Sequence, residues 1–377
     1  MDTKELIKRY SELKEVEATA NELQILGSRI HWNGLIGGSR ALLTAALCQQ
    51  VPGNHLFILN DKEAAAYFLN DLENLFPKES NVLFYPASYR VPYQFEDTEN
   101  ANVVARAQVL ERINNSKNNW VVTYPQALFE KVPTKVNLNS NTLKVQVGKT
   151  YSLDFMNELL LEYHFERVDF VYEPGQFSIR GGIVDVFSYS NDDPFRIEFF
   201  GDEVETIRTF DATSQLSINK HEHFNIVPNV QGRMVQTKNG SFLEFITSNT
   251  TLWLTSFDEV INVLDREYEK AVKHHDAYQG VITPALPNEL YAHSSDFKNE
   301  IDAFSIIEWG PTYHFKSELK YKFTFQPQPS FNKNFELLRT DLVERSKQGF
   351  TNLIFSNQPK QIDRLDQIFE DIGGEVE

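Results

Sequence analysis

Three short apolar runs, His55-Leu-Phe-Ile-Leu-Asn60, Asn81-Val-Leu-Phe-Tyr85 and Trp120-Val-Val-Thr-Tyr124, alternate with helix-period segments in the first part of the chain, to about Ser140. Runs this short and this apolar are buried strands, and strands that alternate with helices must be joined by crossovers. That pattern leaves one economical solution, a mostly parallel sheet with helices on both faces. Asp61-Lys-Glu-Ala opens the helix after the first run with a capping Asp and an early acid. Glu99 to Ile113 places Val103, Val104, Ala107, Val109, Leu110 and Ile113 on or near one helix face.

The pattern changes near Leu143. After a helix around Leu153 to Tyr163, the runs Arg167–Glu173, Gln176–Phe187, Phe195–Phe200 and Glu203–Phe210 leave little room for helices. Asn191-Asp-Asp-Pro194 and Gly201-Asp202 punctuate them as turns, which predicts antiparallel hairpins in a small α+β unit. In this unit Phe177 and Ile179 alternate cleanly, as do Phe195, Ile197 and Phe199. A bulge at Gly181-Gly182 switches the inward face to Val184 and Val186, so Arg180, Asp185 and Phe187 are expected together on the outer face, with Arg196 facing the same way. Arginines beside an exposed aromatic on a rigid sheet have the composition of a protein-binding hot spot. Between Phe165 and Asp211, however, eleven acids accompany four arginines, so internal cross-strand pairing accounts for the same residues equally well.

From Asn229 to Gln326 the pattern is mixed, with a strand at Leu252-Trp-Leu-Thr255 and a helix from Ser256 toward His274. A Pro-rich linker follows, and then a helix at Phe335–Gln348, a strand at Asn352–Phe355 and a helix at Gln358–Asp371. This new α/β unit breaks off at Gly373-Gly-Glu-Val-Glu377, as a fragment of a longer protein would. The expected division is 1–142, 143–228, 229–326 and 327–377.

Charge and composition narrow the functions. Acids outnumber bases by 53 to 36, a formal charge of −17, which disfavours a phosphate backbone as partner and favours a basic protein surface. A single cysteine, Cys48, allows neither an internal disulfide nor a thiolate zinc site. The histidine groups His221-Glu-His223 and His274-His275 are weak metal candidates, and no metal site is assigned. No apolar run approaches a membrane span, and the N-terminus lacks a signal region. A soluble, cytoplasmic protein with no membrane partner is expected.

Gly34-Leu-Ile-Gly-Gly-Ser-Arg-Ala41 stands at a strand-to-helix transition in the frame of the phosphate-binding loop GxxxxGK[ST]. Gly34, Gly37 and Gly38 keep the frame. Ser39 replaces the second essential glycine, Arg40 the lysine and Ala41 the metal-binding hydroxyl. Ala41 cannot ligate magnesium, and a guanidinium is no equivalent of a lysine at a tight site. The loop reads as a relic that keeps the fold without the chemistry, so no catalytic residue and no cofactor is assigned.

Gly175-Gln-Phe-Ser-Ile-Arg-Gly-Gly-Ile-Val-Asp-Val-Phe187, followed by Arg196-Ile-Glu-Phe-Phe-Gly-Asp-Glu203, resembles the second domain shared by the bacterial excision-repair protein UvrB and the transcription-repair coupling factor. Tyr85-Pro-Ala-Ser-Tyr-Arg-Val-Pro-Tyr93 resembles the family's loop after its third core strand. The altered phosphate loop, and the short stretch where UvrB carries a tyrosine-rich hairpin, resemble the coupling factor's N-terminal module rather than UvrB. The resemblance implies a degenerate RecA-like domain 1A (1–142), an inserted domain 2 (143–228), a domain 1B (229–326) and the start of an α/β domain 3 (327–377). It further implies an adaptor without ATPase activity of its own, recruiting UvrA to RNA polymerase stalled at DNA damage in nucleotide excision repair. Arg167, Arg180, Phe187 and Arg196 are the implied UvrA contacts, and the protein's own C-terminal region is implied to mask them at rest. ATP, magnesium, RNA polymerase and duplex DNA would engage regions outside this chain. The competing class is a UvrB-like ATP-dependent DNA helicase subunit.

Overall fold

A computed structural model describes residues 3–76, 82–88, 91–93, 100–228, 239–278, 284–317, 319–354, 356 and 358–372. Of the positions used above, Asn81, Tyr89, Arg90, Glu99, Asn229, Phe355 and 373–377 lie outside the described residues. The chain divides into two units, Met1–Phe325 and Gln326–Glu377.

The first unit is built on seven strands in the order Leu319–Lys322, Arg29–Asn33, Ser305–Glu308, Thr251–Leu254, His55–Ile58, Trp120–Thr123 and Val82–Tyr85. Every ladder in it is parallel. The central strands His55–Ile58, Thr251–Leu254 and Trp120–Thr123 are buried at every residue, which is why their sequences are continuous apolar runs and not alternating ones. Trp32, Trp253, Trp309 and Phe57 pack around the sheet, Trp32 edge-on to Trp253 with ring centroids 5.3 Å apart. Asp61 caps the helix Lys62–Leu75 by accepting from the Ala64 amide at 2.8 Å, and Ser256 caps Phe257–Asp276 through the Glu259 amide.

The stretch 229–326, expected as a mixed domain of its own, contributes three strands to this same sheet. Two of them, Ser305–Glu308 and Thr251–Leu254, lie between Arg29–Asn33 and His55–Ile58. Pairings that span some two hundred residues leave no local signal in the chain.

Between Trp120–Thr123 and Thr251–Leu254 the chain makes a second sheet. Its six strands run in the order Ser217–His221, Glu203–Phe210, Phe195–Phe200, Ile183–Val186, Gln176–Arg180 and Glu166–Arg167. All neighbours are antiparallel except the last pair, which is parallel. The helix Leu153–Glu162 and the strand pair Leu143–Gln146 and His223–Ile226 cover one face. Met156, Leu160, Phe177, Val184, Ile197 and Ile207 are buried there. Gly181-Gly182 is a tight hairpin turn and not the expected bulge: Gly181 takes φ +60° and Arg180 pairs directly with Ile183. Either geometry points Val184 and Val186 inward.

In the second unit the helices Phe335–Lys347 and Pro359–Asp371 form as expected. Residues 351–354 form no strand, because no partner strand stands beside them among the described residues of that unit. Among the described residues no helix is long and apolar enough to cross a membrane.

Candidate functional site

The glycine loop leaves the strand Arg29–Asn33 and enters the helix Ser39–Gln50. Gly34 takes φ +85°, and a side chain there would collide with the Phe323 carbonyl, whose own amide donates to Asn33 O at 2.8 Å. Ser39 turns back on the loop. Its hydroxyl donates to Ile36 O at 2.8 Å and accepts from the Ile36 amide at 2.9 Å. One loop amide is thereby already satisfied internally. Ala41 is buried, and Arg40 is partly buried, which lowers its guanidinium pKa from the ordinary value.

The outer face of the second sheet is organised around one carboxylate. Asp185 has a fully buried side chain and accepts from Arg180 Nη2 at 2.5 Å, from Arg196 Nε at 2.7 Å and from Arg196 Nη2 at 2.9 Å. The three residues meet because strand register places Asp185 opposite both Ser178 and Arg196, with Arg180 two residues beyond Ser178 on the same face. Asp185 holds the Arg196 guanidinium above its ordinary pKa, chiefly through these hydrogen bonds. Arg196 also lies over the Phe210 ring and donates to Gln215 O and Oε1. Arg196 keeps 17% of its side chain exposed and Arg180 37%. Two guanidiniums on one carboxylate leave a net positive charge at this spot. Alongside, Arg208 pairs with Glu198.

Three sequence expectations need correction here. Phe187 lies on the outer side as expected but is only 6% exposed, buried with Val171 and Phe210. The cause is the run Arg167–Glu173, read as a strand, of which only Arg167 joins the sheet, in the two-residue strand Glu166–Arg167. The rest crosses the outer face as a strap. Asp169 O accepts from Ser178 Oγ, Val171 O from Gln215 Nε2, and the Gln176 side chain accepts from the Tyr172 and Glu173 amides. Arg196 is likewise mostly enclosed, under the loop that carries Gln215. Arg167 is exposed but stands in register with inward-facing Phe177 and donates to Asn157 on the covering helix, so it does not join the others. Of the four expected contacts, the structure brings Arg180 and Arg196 together, and Arg180 is the more accessible of that pair.

Sequence reasoning did not anticipate that Phe170 and Tyr172 stand 48% and 55% exposed on the strap, or that Gln215 fastens it. Pro174-Gly175 directly after the run was the available signal that the chain leaves the ladder.

The model of the UvrB interaction domain family matches residues 143–231. That segment of the chain is thus similar to a UvrB interaction domain. Outside that segment the similarity continues: the transcription-repair-coupling factor of Bacillus subtilis is 31% identical over 195 residues, 52% of this chain and 16% of the relative. The coupling factor of Escherichia coli is 23% identical over 209 residues, 55% of this chain and 18% of the relative. The UvrABC system protein B of Listeria monocytogenes is 27% identical over 213 residues, 52% of this chain and 32% of the relative. The chain thus matches about a sixth of the length of these coupling factors and a third of UvrABC protein B. Together with the parallel sheet and its inserted antiparallel domain, these matches support an N-terminal UvrB-like region of a transcription-repair coupling factor.

Proposed function

We propose that this UvrB-like module is a noncatalytic adaptor of nucleotide excision repair that docks UvrA on the outer face of its UvrB interaction domain. In the whole protein it would bring UvrA to RNA polymerase stalled at DNA damage, in the cytoplasm. RNA polymerase, duplex DNA and ATP would be handled by other regions, and the protein's C-terminal region would cover the face at rest. The observation that carries this reading is Arg180, half-exposed on a stiff sheet within the matched domain and held by a buried carboxylate. Preorganised guanidiniums of this kind serve as hot spots because little side-chain freedom is lost on binding. The noncatalytic part rests on the loop: Ala41 offers no oxygen to magnesium, Arg40 replaces the lysine, and the Ser39 hydroxyl occupies a loop amide. These residues do not fit a magnesium–nucleotide, and no hydrolytic step is assigned to them.

Titration of purified UvrA into the 377-residue chain tests the adaptor. Arg180→Ala is expected to weaken binding by about 1–2 kcal/mol, roughly five- to thirtyfold, with the fold retained. Unchanged affinity would leave the arginines as internal pairing only. Magnesium-dependent ATP hydrolysis by the chain, lost in Arg40→Ala, would instead support the UvrB-like enzyme.

A further inference from the structure

We propose that the strap over the outer face supplies the aromatic anchor of this docking surface, through Phe170 and Tyr172, in the place that Phe187 was expected to fill. The inference rests on the UvrA-recruitment reading and assigns the contact within it. Phe187 cannot touch a partner while Val171, itself fully buried, lies against it. Phe170 and Tyr172 flank Val171 in sequence and point the other way, about half exposed. The Arg180 guanidinium carbon stands 4.8 Å from the Phe170 ring centroid, so cation and ring present one continuous surface.

The strap is also held still. Its backbone is tied to Ser178, Gln176 and Gln215 at 3.0 to 3.2 Å. Gln215 adopts φ +62° and spends its side chain on Val171 O, Ala212 O and Arg196. An exposed aromatic fixed in this way costs little entropy to bury. The surplus positive charge of Arg180 and Arg196 over Asp185 defines the complementary chemistry, an apolar hollow on UvrA rimmed by carboxylates. The rival anchor is Phe200, 81% exposed beside the turn at Gly201-Asp202. Exposed acids flank both sites, Asp202, Glu203 and Glu205 by Phe200 and Asp169 and Glu173 on the strap. The strap is preferred because a guanidinium stands over Phe170, whereas among the described residues none stands over Phe200.

The test is UvrA titration of the full chain and its variants. Phe170→Ala is expected to weaken binding about tenfold with the thermal midpoint unchanged, Tyr172→Ala severalfold, and Phe200→Ala not at all. In an Arg180→Ala background Phe170→Ala should still lower affinity, because the ring itself is the contact. Silence in that background would make Phe170 only a support for Arg180 and overturn the proposal. If Arg180→Ala weakens binding while Phe170→Ala does not, the strap is not the anchor and the recruitment reading stands. If neither weakens it, the recruitment reading falls, and this inference with it.

Discussion

Asp185→Ala is expected to destabilise the domain built on the six-stranded sheet by about 3–5 kcal/mol, the range for removing one partner of a buried ion pair. The carboxylate is fully enclosed and is the acceptor for three guanidinium N–H groups. Arg180 can swing into water when it is lost, since more than a third of its side chain is already exposed. Arg196 cannot. It would remain pinned over Phe210 with the oxygens of Gln215 as its acceptors, a charge held largely out of water without a counterion. Most of the loss is therefore assigned to Arg196, and that assignment has its own check. Asp185→Leu combined with Arg196→Met removes charge and countercharge together and should recover most of the stability, because well-packed apolar replacements of buried pairs are close to neutral. Tryptophan fluorescence is blind to this domain: Trp32, Trp120, Trp253 and Trp309 all lie outside residues 143–231. Urea-dependent hydrogen exchange of peptides from 176–210 reports it directly. An Asp185→Ala chain with unchanged protection would mean that the carboxylate carries no structural burden. The same variant should lose UvrA affinity as well, since Arg180 is no longer held against Phe170.

The pattern of inward residues in this domain was legible because a strand repeats every two residues, and Phe177, Ile179, Val184, Val186, Phe195 and Ile197 obey that period. The departure of Gly34–Ala41 from the phosphate-loop pattern was legible for a simpler reason. The pattern's chemistry depends on which functional groups are present, and Ala41 lacks one in any conformation. What was not legible is the strap. Val168-Asp-Phe-Val-Tyr172 has the composition and alternation of a strand, and only tertiary partners make it leave the ladder. Those partners are Gln176, whose side chain satisfies two strap amides, and Gln215, which reaches it from beyond another strand. Phe187 was placed on the correct side and given the wrong exposure for this one reason. The order of the seven-stranded sheet was hidden in the same way. Nothing local to Thr251–Leu254 says that it lies next to His55–Ile58.

That neighbouring pair of strands carries the second large effect, which depends on pH. His55 is buried in a strand with no exposed residue. Its Nε2 donates to Val51 O at 3.0 Å, and its Nδ1 accepts from the indole N–H of Trp253 at 3.3 Å. A neutral imidazole satisfies both contacts. An imidazolium would aim an N–H at the indole N–H and bury a charge as well. Burial accordingly lowers the pKa from 6.5 to about 4, with the Val51 hydrogen bond opposing it more weakly. The unfolded chain takes up its proton near 6.5 and the folded chain only near 4, so between those values the unfolded state binds more protons. The contribution of His55 is thus fully present above pH 6.5 and falls as the pH drops toward 4. A difference of roughly two and a half pH units corresponds to about 3 kcal/mol. His55→Gln keeps one donor and one acceptor but cannot titrate. It should be less stable than the natural chain at pH 7, through imperfect packing, and lose about 3 kcal/mol less between pH 6.5 and 4. Here tryptophan fluorescence is the right probe, because Trp253 donates to His55 and Trp120 packs edge-on to its ring. Urea midpoints measured at pH 7, 5.5 and 4 should converge for the two proteins. Parallel curves would mean that the ring is already protonated inside the sheet, and that Trp253 is not its donor.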